Sequence, residues 1–306
     1  MKPDFLPGAA ARAISDARPP SNDASAGPSH WSEFWQEFAP KGQIQERCHI
    51  PGDGRVIVDR HWAWFAASLT QRAEVLDIGC GAGVVGRAML KERGDLLVTG
   101  IDFANVPIPR VPNLTVHPWV SMETLPFGEA CFDAAISLFG IEYGDIARTA
   151  GELARVLKRG GRFSFLVHHG DSETVHEGSY RRAAMRMLLS QKIKTAFLAG
   201  NVTSLDQQLN RLADQFPGER SVTLFAKLLR GDVVRIRAHR QAAWQNLTNG
   251  LGTEIALLAQ LERSAKSPVE MGSWLAELLG RMAKVEVSVL RRASGQPIAW
   301  EVSGVR

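Results

Sequence analysis

The sequence predicts an α/β fold, a doubly wound sheet flanked by helices. Three observations predict it. Short apolar runs of strand length alternate with longer amphipathic runs through the middle of the chain, as a parallel sheet requires. The run VLDI opens onto a glycine turn, GCGAG, which leads at once into the helix-compatible VVGRAML. A second apolar run, LLVTGI, ends in Asp102, roughly 20 residues past those glycines.

The elements follow in order. Residues 1–28 are rich in Ala, Pro, Ser and Gly and carry Asp4, Arg12, Asp16 and Arg18 without an apolar core. They read as a disordered tail and not as a signal peptide. Trp31, Phe34, Trp35 and Phe38 recur at three- and four-residue spacing, which makes one aromatic face of a helix, with Ser29 or Ser32 as its cap. Residues 51–54 read as a turn and 56–69 as a helix, with His61, Trp62 and Trp64 as core or interface residues. Strands are expected at 74–78, 97–101, 114–117, 134–138 and 162–167. A strongly amphipathic helix over 145–157 is expected to stop at Gly160-Gly161 as its C-cap. Residues 180–279 read as several helices, broken near Gly200, Pro217-Gly218, Gly231, Asn249-Gly250 and Pro268. The alternating runs 284–289 and 297–302, with Ser294-Gly295 between them, read as a hairpin.

The glycine turn carries the chemistry. Residues without a Cβ accept positive φ and let a ligand lie against bare backbone, and the N–H groups of the following helix start are free to donate. An acid at the end of the second strand suits ribose hydroxyls. Asp77 stands just before the glycines, where dinucleotide-binding folds usually have glycine or an apolar residue. A carboxylate there suits a cationic ligand end, such as an amino group or a sulfonium.

The downstream text continues with Glu123-Thr124-Leu125-Pro126-Phe127, Cys131-Phe132-Asp133, and Arg155-Val156-Leu157-Lys158-Arg159-Gly160-Gly161. With DIGCGAG before them, these four motifs resemble the class I S-adenosylmethionine-dependent methyltransferases in order and spacing. The resemblance is to the small-molecule branch that includes the ubiquinone and menaquinone C-methyltransferases, and it covers about residues 75–169. It implies S-adenosyl-L-methionine as cofactor and S-adenosyl-L-homocysteine as product. It also implies a Rossmann-like methyltransferase sheet closed by a C-terminal hairpin. Asp77, Gly79, Gly81 and Gly83 would then hold the methionine part, with Cys80 a small residue in that turn. Asp102 would take the ribose with Phe103 beside the adenine, Ser121 and Met122 would read the adenine, and Ser137 and Phe139 would line the methyl-transfer position. The aromatic face at residues 31–38 then has two readings, core packing or a lid whose rings attract the sulfonium.

The same resemblance makes the helical stretch a large insertion between the fifth and sixth strands. The expected division is a tail at 1–28, a cofactor-binding core at 29–176, a helical insertion at 177–282 that carries specificity, and a closing hairpin at 283–306. The front of the insertion is basic, with Arg181, Arg182, Arg186, Lys192, Lys194, Arg211, Lys227, Arg230, Arg235, Arg237 and Arg240. It reads as a solvated face or as a docking face for an anionic, small or carrier-bound substrate. Aromatic residues are sparse among these charges, so RNA ranks below both.

His168 and His169 follow the fifth strand, whose C-terminal end faces the ligand crevice, and are the candidate catalytic residues. Glu142, Tyr143 and His30 are secondary candidates. No paired acidic motif follows the fourth strand, which argues against metal-assisted transfer. The Asn/Asp-Pro-Pro-aromatic signature of amino-directed methylases is absent, with Ser137-Leu138-Phe139-Gly140 in its place.

Composition sets wider bounds. The chain has 306 residues, a net charge of +4 and 3 scattered cysteines, which fits neither a disulfide framework nor a zinc site. No run is long and apolar enough for a membrane span, and the expected location is the cytoplasm. The reading is a methyltransferase of small or carrier-bound metabolites. The alternatives are an RNA methyltransferase or a non-catalytic partner protein that binds the cofactor.

Overall fold

The computed structural model describes residues 28–38, 50, 52–106, 111–236 and 238–306. Helices α1 (Pro28–Phe38) and α2 (Gly54–Ala67) precede the sheet. Then come β1 (Glu74–Ile78), α3 (Val84–Glu92), β2 (Leu97–Asp102), β3 (Leu114–Pro118) and β4 (Phe132–Leu138). A 3-10 turn (Ile141–Tyr143), α4 (Ile146–Val156) and β5 (Leu157–His168) follow. A helical run comes next: α5 (Glu173–Leu188), α6 (Gln191–Leu198), α7 (Val202–Gln215), α8 (Arg220–Arg235), α9 (Arg240–Ser264) and α10 (Pro268–Leu279). Strands β6 (Lys284–Arg291) and β7 (Pro297–Val305) end the chain. The expected tail falls outside the described residues except for Pro28, which opens α1.

The seven strands form one sheet in the order β3-β2-β1-β4-β5-β7-β6. Strands β1 to β5 pair in parallel, and β7 runs antiparallel to both β5 and β6. The chain leaves β3 at one edge and returns as β4 on the far side of β1. That reversal makes β1 and β4 the switch point, where a crevice opens beyond the strand ends.

Successive side chains of a strand point to opposite faces, and β5 shows this directly. Phe163, Phe165 and Val167 pack with Leu153 and Val156 of α4 and with Met271, Trp274 and Leu278 of α10. Leu166 faces the other way, with Trp62 and Phe65 of α2 and Met89 of α3.

Four expectations are corrected. Gly160-Gly161 does not cap α4. The helix ends at Val156 and Leu157 is already extended, because Leu157 pairs with Phe132 and the register then slips before Ala134 meets Arg162. The glycines take up that slip, Gly160 at φ 76 and bonded through its N–H to the carbonyl of Arg306. Gly231 lies inside α8 and Asn249-Gly250 inside α9, with open space beside both glycines. Ser29 and Ser32 lie within α1, and the Ser32 hydroxyl accepts from the Asn105 N–H (3.1 Å). The helical stretch also divides: Val175–Arg263 is one compact unit, whereas α10 belongs with the sheet.

The inserted unit has its own core of Leu188, Ile193, Phe197, Leu209, Leu229 and Trp244. Several of its basic residues pair internally: Arg182 with Glu262, Arg230 with Asp206, Arg235 with Asp232, and Arg181 at 3.7 Å from Glu219. Among the described residues, no helix is long and apolar enough to cross a membrane.

Candidate active site

The turn after β1 holds Gly79, Gly81 and Gly83 in the left-handed region, at φ 63, 51 and 69, a conformation most side chains resist. The Cys80 N–H donates to the Ile101 carbonyl (2.9 Å) and so ties this turn to β2. The Cys80 thiol is buried, which pushes its pKa well above the usual range. One oxygen of Asp102 accepts from the Gly81 N–H and the other from the Ala104 N–H, both at 2.8 Å. Burial raises the Asp102 pKa against the pull of those two donors. Each carboxylate oxygen keeps a lone pair for a further donor.

Asp77 is buried, and its Oδ2 has no hydrogen-bond partner. Burial pushes its pKa up to about 7, against a smaller opposing pull from the Gly86 backbone. A buried carboxylate oxygen without a donor is costly. A cationic ligand end laid in this turn would remove that cost, so the residues present fit the amino acid end of S-adenosylmethionine.

The turn after β4 leans on the turn after β1. A Cβ on Gly79 would come 2.9 Å from the Gly140 Cα, and one on Gly140 would come 2.9 Å from the Ile78 carbonyl. Ser137 helps lock the two together. Its hydroxyl donates to the Ile78 carbonyl (2.8 Å) and accepts from the Ile141 N–H (3.0 Å), and the side chain is fully buried. Ser137 is thus a bracket between turns, with its hydroxyl engaged by two backbone partners. Phe139 follows the end of β4. Its backbone sits at φ 54, and its ring stacks on His168 with centroids 4.0 Å apart. Such a φ for a bulky residue is backbone strain of the kind found at functional sites.

His168 ends β5. Its Nδ1 lies 2.7 Å from Glu142 Oε1, and the same oxygen accepts the His168 backbone N–H at 3.1 Å. The Glu142 side chain is 0% exposed, and its Oε2 has no partner. His169 points the other way, as strand alternation requires. Its ring stacks on Trp300 at 4.4 Å, and its Nδ1 accepts from the Asp171 N–H at 3.1 Å. Burial lowers its pKa, with Asp171 opposing and Arg291 adding to the effect. The structure therefore joins His168 to Glu142 and leaves His169 on the far face.

Comparison with known proteins decides the family. Residues 76–165 match the methyltransferase domain family. A demethylmenaquinone methyltransferase of Corynebacterium kroppenstedtii is 28% identical over 189 residues, which cover 58% of this chain and 72% of that protein. A malonyl-[acyl-carrier protein] O-methyltransferase of Herminiimonas arsenicoxydans is 28% identical over 147 residues, 46% of this chain and 56% of that one. This chain carries a class I S-adenosylmethionine-dependent methyltransferase domain. Among solved structures, an S-adenosylmethionine-dependent methyltransferase from Mesorhizobium loti is 23% identical, covering 37% of this chain and 54% of that one at a TM-score of 0.30.

In this methyltransferase, α1 packs directly on the glycine turn. The Trp35 ring fills the space a Cβ on Gly81 would need, and Trp35 is buried with Ala82, Ala104 and Val106. Trp31 meets Tyr143 edge-on at 5.5 Å. The Phe38 side chain lies outside the described residues. Of the adenine candidates, Phe103 is 37% exposed beside Asp102. The Ser121 hydroxyl accepts from the Glu123 N–H (3.2 Å), and the Met122 sulfur packs against Gly144.

The remaining motifs of the methyltransferase prove to be braces. Arg155 donates to the carbonyls of Phe127 (2.6 Å) and Leu125 (2.9 Å), while Glu152 accepts the Leu125 N–H (2.6 Å) and pairs with Arg155. Asp133 accepts the Glu74 N–H (2.9 Å) and pairs with Lys158 (2.8 Å). Among the described residues, no group of three or more His, Cys, Asp or Glu side chains could hold a metal ion.

Proposed function

We propose that the enzyme methylates a small or carrier-bound acceptor that gives up a proton during transfer, and that His168 receives the proton. The observation that supports this most is the bond from His168 Nδ1 to the buried Glu142 carboxylate, at the strand end beside the turn pressed against Gly79. Asp77, Gly79, Gly81 and Gly83 would hold the amino acid end of the cofactor, with Cys80 keeping the turn compact. Asp102 would hold the ribose, and Phe103, Ser121 and Met122 would flank the adenine. Bound there, S-adenosylmethionine supplies a methyl group on positively charged sulfur. The protein's share is to align the acceptor in line with that bond, which good positioning can make worth roughly 7–11 kcal/mol of barrier. A base at the acceptor adds about 100- to 10,000-fold.

The relatives named above act, by name, on demethylmenaquinone and on a malonyl group held by acyl-carrier protein; the second name keeps a carrier-bound acceptor in this reading, although a malonyl carboxylate itself has no proton to give. Internal pairing of Arg181, Arg182, Arg230 and Arg235 weighs against RNA. The reading places the enzyme in the cytoplasm, where the cofactor is made. The test is calorimetric titration with S-adenosylmethionine and S-adenosylhomocysteine after removal of co-purified ligand, followed by an acceptor screen read by S-adenosylhomocysteine release. Micromolar binding lost in Asp102→Ala, with turnover lost in His168→Ala, is the expected result. Binding without turnover of any acceptor would favour a cofactor-binding partner protein.

A further inference from the structure

We infer that Glu142 is a positioning residue that fixes the tautomer of His168, and that the site takes an acceptor which is neutral before transfer: a hydroxyl, thiol, amine or activated C–H, not a carboxylate. The inference rests on the reading of His168 as proton acceptor.

An ionised carboxylate only accepts hydrogen bonds. Glu142 Oε1 therefore draws the ring proton onto Nδ1, and Nε2 carries the lone pair. The same oxygen holds the His168 N–H, and Phe139 holds the ring plane by stacking. Backbone, ring nitrogen and ring face are all constrained at once. As the acceptor atom bonds to the methyl carbon, the carbon–sulfur electron pair returns to sulfur and the acceptor's proton passes to Nε2. The resulting imidazolium is stabilised by Glu142 at 2.7 Å in a buried setting.

Charge sets the acceptor class. Asp77 and Asp102 stand at the glycine turn, and Glu142 stands at His168. Among the described residues, the partners found for them are backbone N–H groups and His168, with no lysine or arginine. These acidic residues favour the sulfonium and disfavour a negatively charged acceptor. A carboxylate acceptor, moreover, has no proton to give to Nε2.

The test uses the full chain labelled with 15N-histidine, without cofactor, at about pH 8, above the ordinary histidine value of about 6.5. The His168 signals are identified by their loss in His168→Gln. The expected spectrum shows His168 protonated on Nδ1. Glu142→Gln keeps an accepting oxygen and should keep that tautomer, while lowering kcat by about 100- to 10,000-fold with little change in KM. Glu142→Ala should lose both the tautomer and the rate. A wild-type signal protonated on Nε2, or full kcat in Glu142→Gln, overturns the role of Glu142. Faster turnover of a carboxylate than of the matching alcohol overturns the acceptor class. Undiminished turnover in His168→Ala would instead remove the reading beneath, whatever the spectrum shows.

Discussion

Gly79 and Gly140 stand backbone against backbone, each within 3.0 Å of where the other's Cβ would have to fit. No flexible side chain lies between them to yield. Gly140 has φ −127, outside the left-handed region that favours glycine, so Gly140→Ala tests chiefly the contact. The variant should lose about 1–3 kcal/mol in urea unfolding and bind S-adenosylmethionine at least about tenfold more weakly. Wild-type values in both would show that the two turns do not press on each other.

Asp77 costs the free protein stability at neutral pH. Its folded pKa of about 7 stands above the ordinary 3.8 because burial penalises the charge. A raised acid stabilises the fold fully below its unfolded pKa, and that stability is lost as pH rises through the folded pKa. The free protein should therefore weaken between about pH 4 and pH 7, by on the order of 4 kcal/mol. Asp77→Asn should melt higher than wild type near pH 8 and bind the cofactor poorly. Binding by the wild type near pH 6 should release a proton, visible as a buffer-dependent calorimetric enthalpy. A variant that melts lower than wild type at pH 8 would contradict this.

His61 predicts the opposite slope. Its Nε2 meets the Ser164 hydroxyl at 2.9 Å and its Nδ1 lies 3.5 Å from Glu301. Burial lowers its pKa, with Glu301 partly opposing. The stability gained from neutral His61 is complete above the ordinary value of about 6.5 and is lost as pH falls below it. His61→Asn removes this rise, so its melting temperature relative to wild type should fall as pH increases toward about 6.5, where neutral His61 stabilises the wild type fully. Parallel curves would mean that His61 does not titrate on unfolding in that range.

Arg155 should behave as a structural residue despite standing in a family motif. Arg155→Lys keeps the charge but cannot reach both carbonyls in a planar fork. We expect a loss of about 1–3 kcal/mol, faster amide exchange around Leu125, and cofactor affinity within about threefold of wild type. Lost affinity with unchanged stability would reverse that assignment.

These residues also show what a sequence can and cannot disclose. The glycine turn and Asp102 were legible because each is local: a run of residues whose conformation is set by its neighbours. Strand β1 and the closing hairpin were legible for the same reason. Glu142 and His168 lie 26 residues apart, and their pairing depends on a 3-10 turn that no periodicity announces. Ser137 was placed at the right strand end, but its hydroxyl is spent on two backbone partners that only the fold brings together. Gly231 looked like a break, yet Val222, Ala226, Leu229 and Val233 continue a buried face past it and carry the helix through. Two of the motifs that carry the family resemblance were given no role from the sequence, and in Arg155 and Asp133 they turn out to be joinery.

Strand β7 follows β6 in the chain yet lies between β6 and β5. The hairpin of β6 and β7 can form from neighbouring residues, whereas pairing β7 with β5 must close a loop holding the entire inserted unit. Loop closure grows only slowly with length, so the insertion costs the finished fold little, but such distant pairing is slow. Until the hairpin docks, β5 is an open edge carrying Phe163, Phe165 and Leu166, the kind of surface that captures other unfinished chains. The yield of refolding should thus be governed by how fast the hairpin arrives, and a cofactor held at the ends of β1 and β2, which the hairpin does not touch, would stabilise the product without hastening that step.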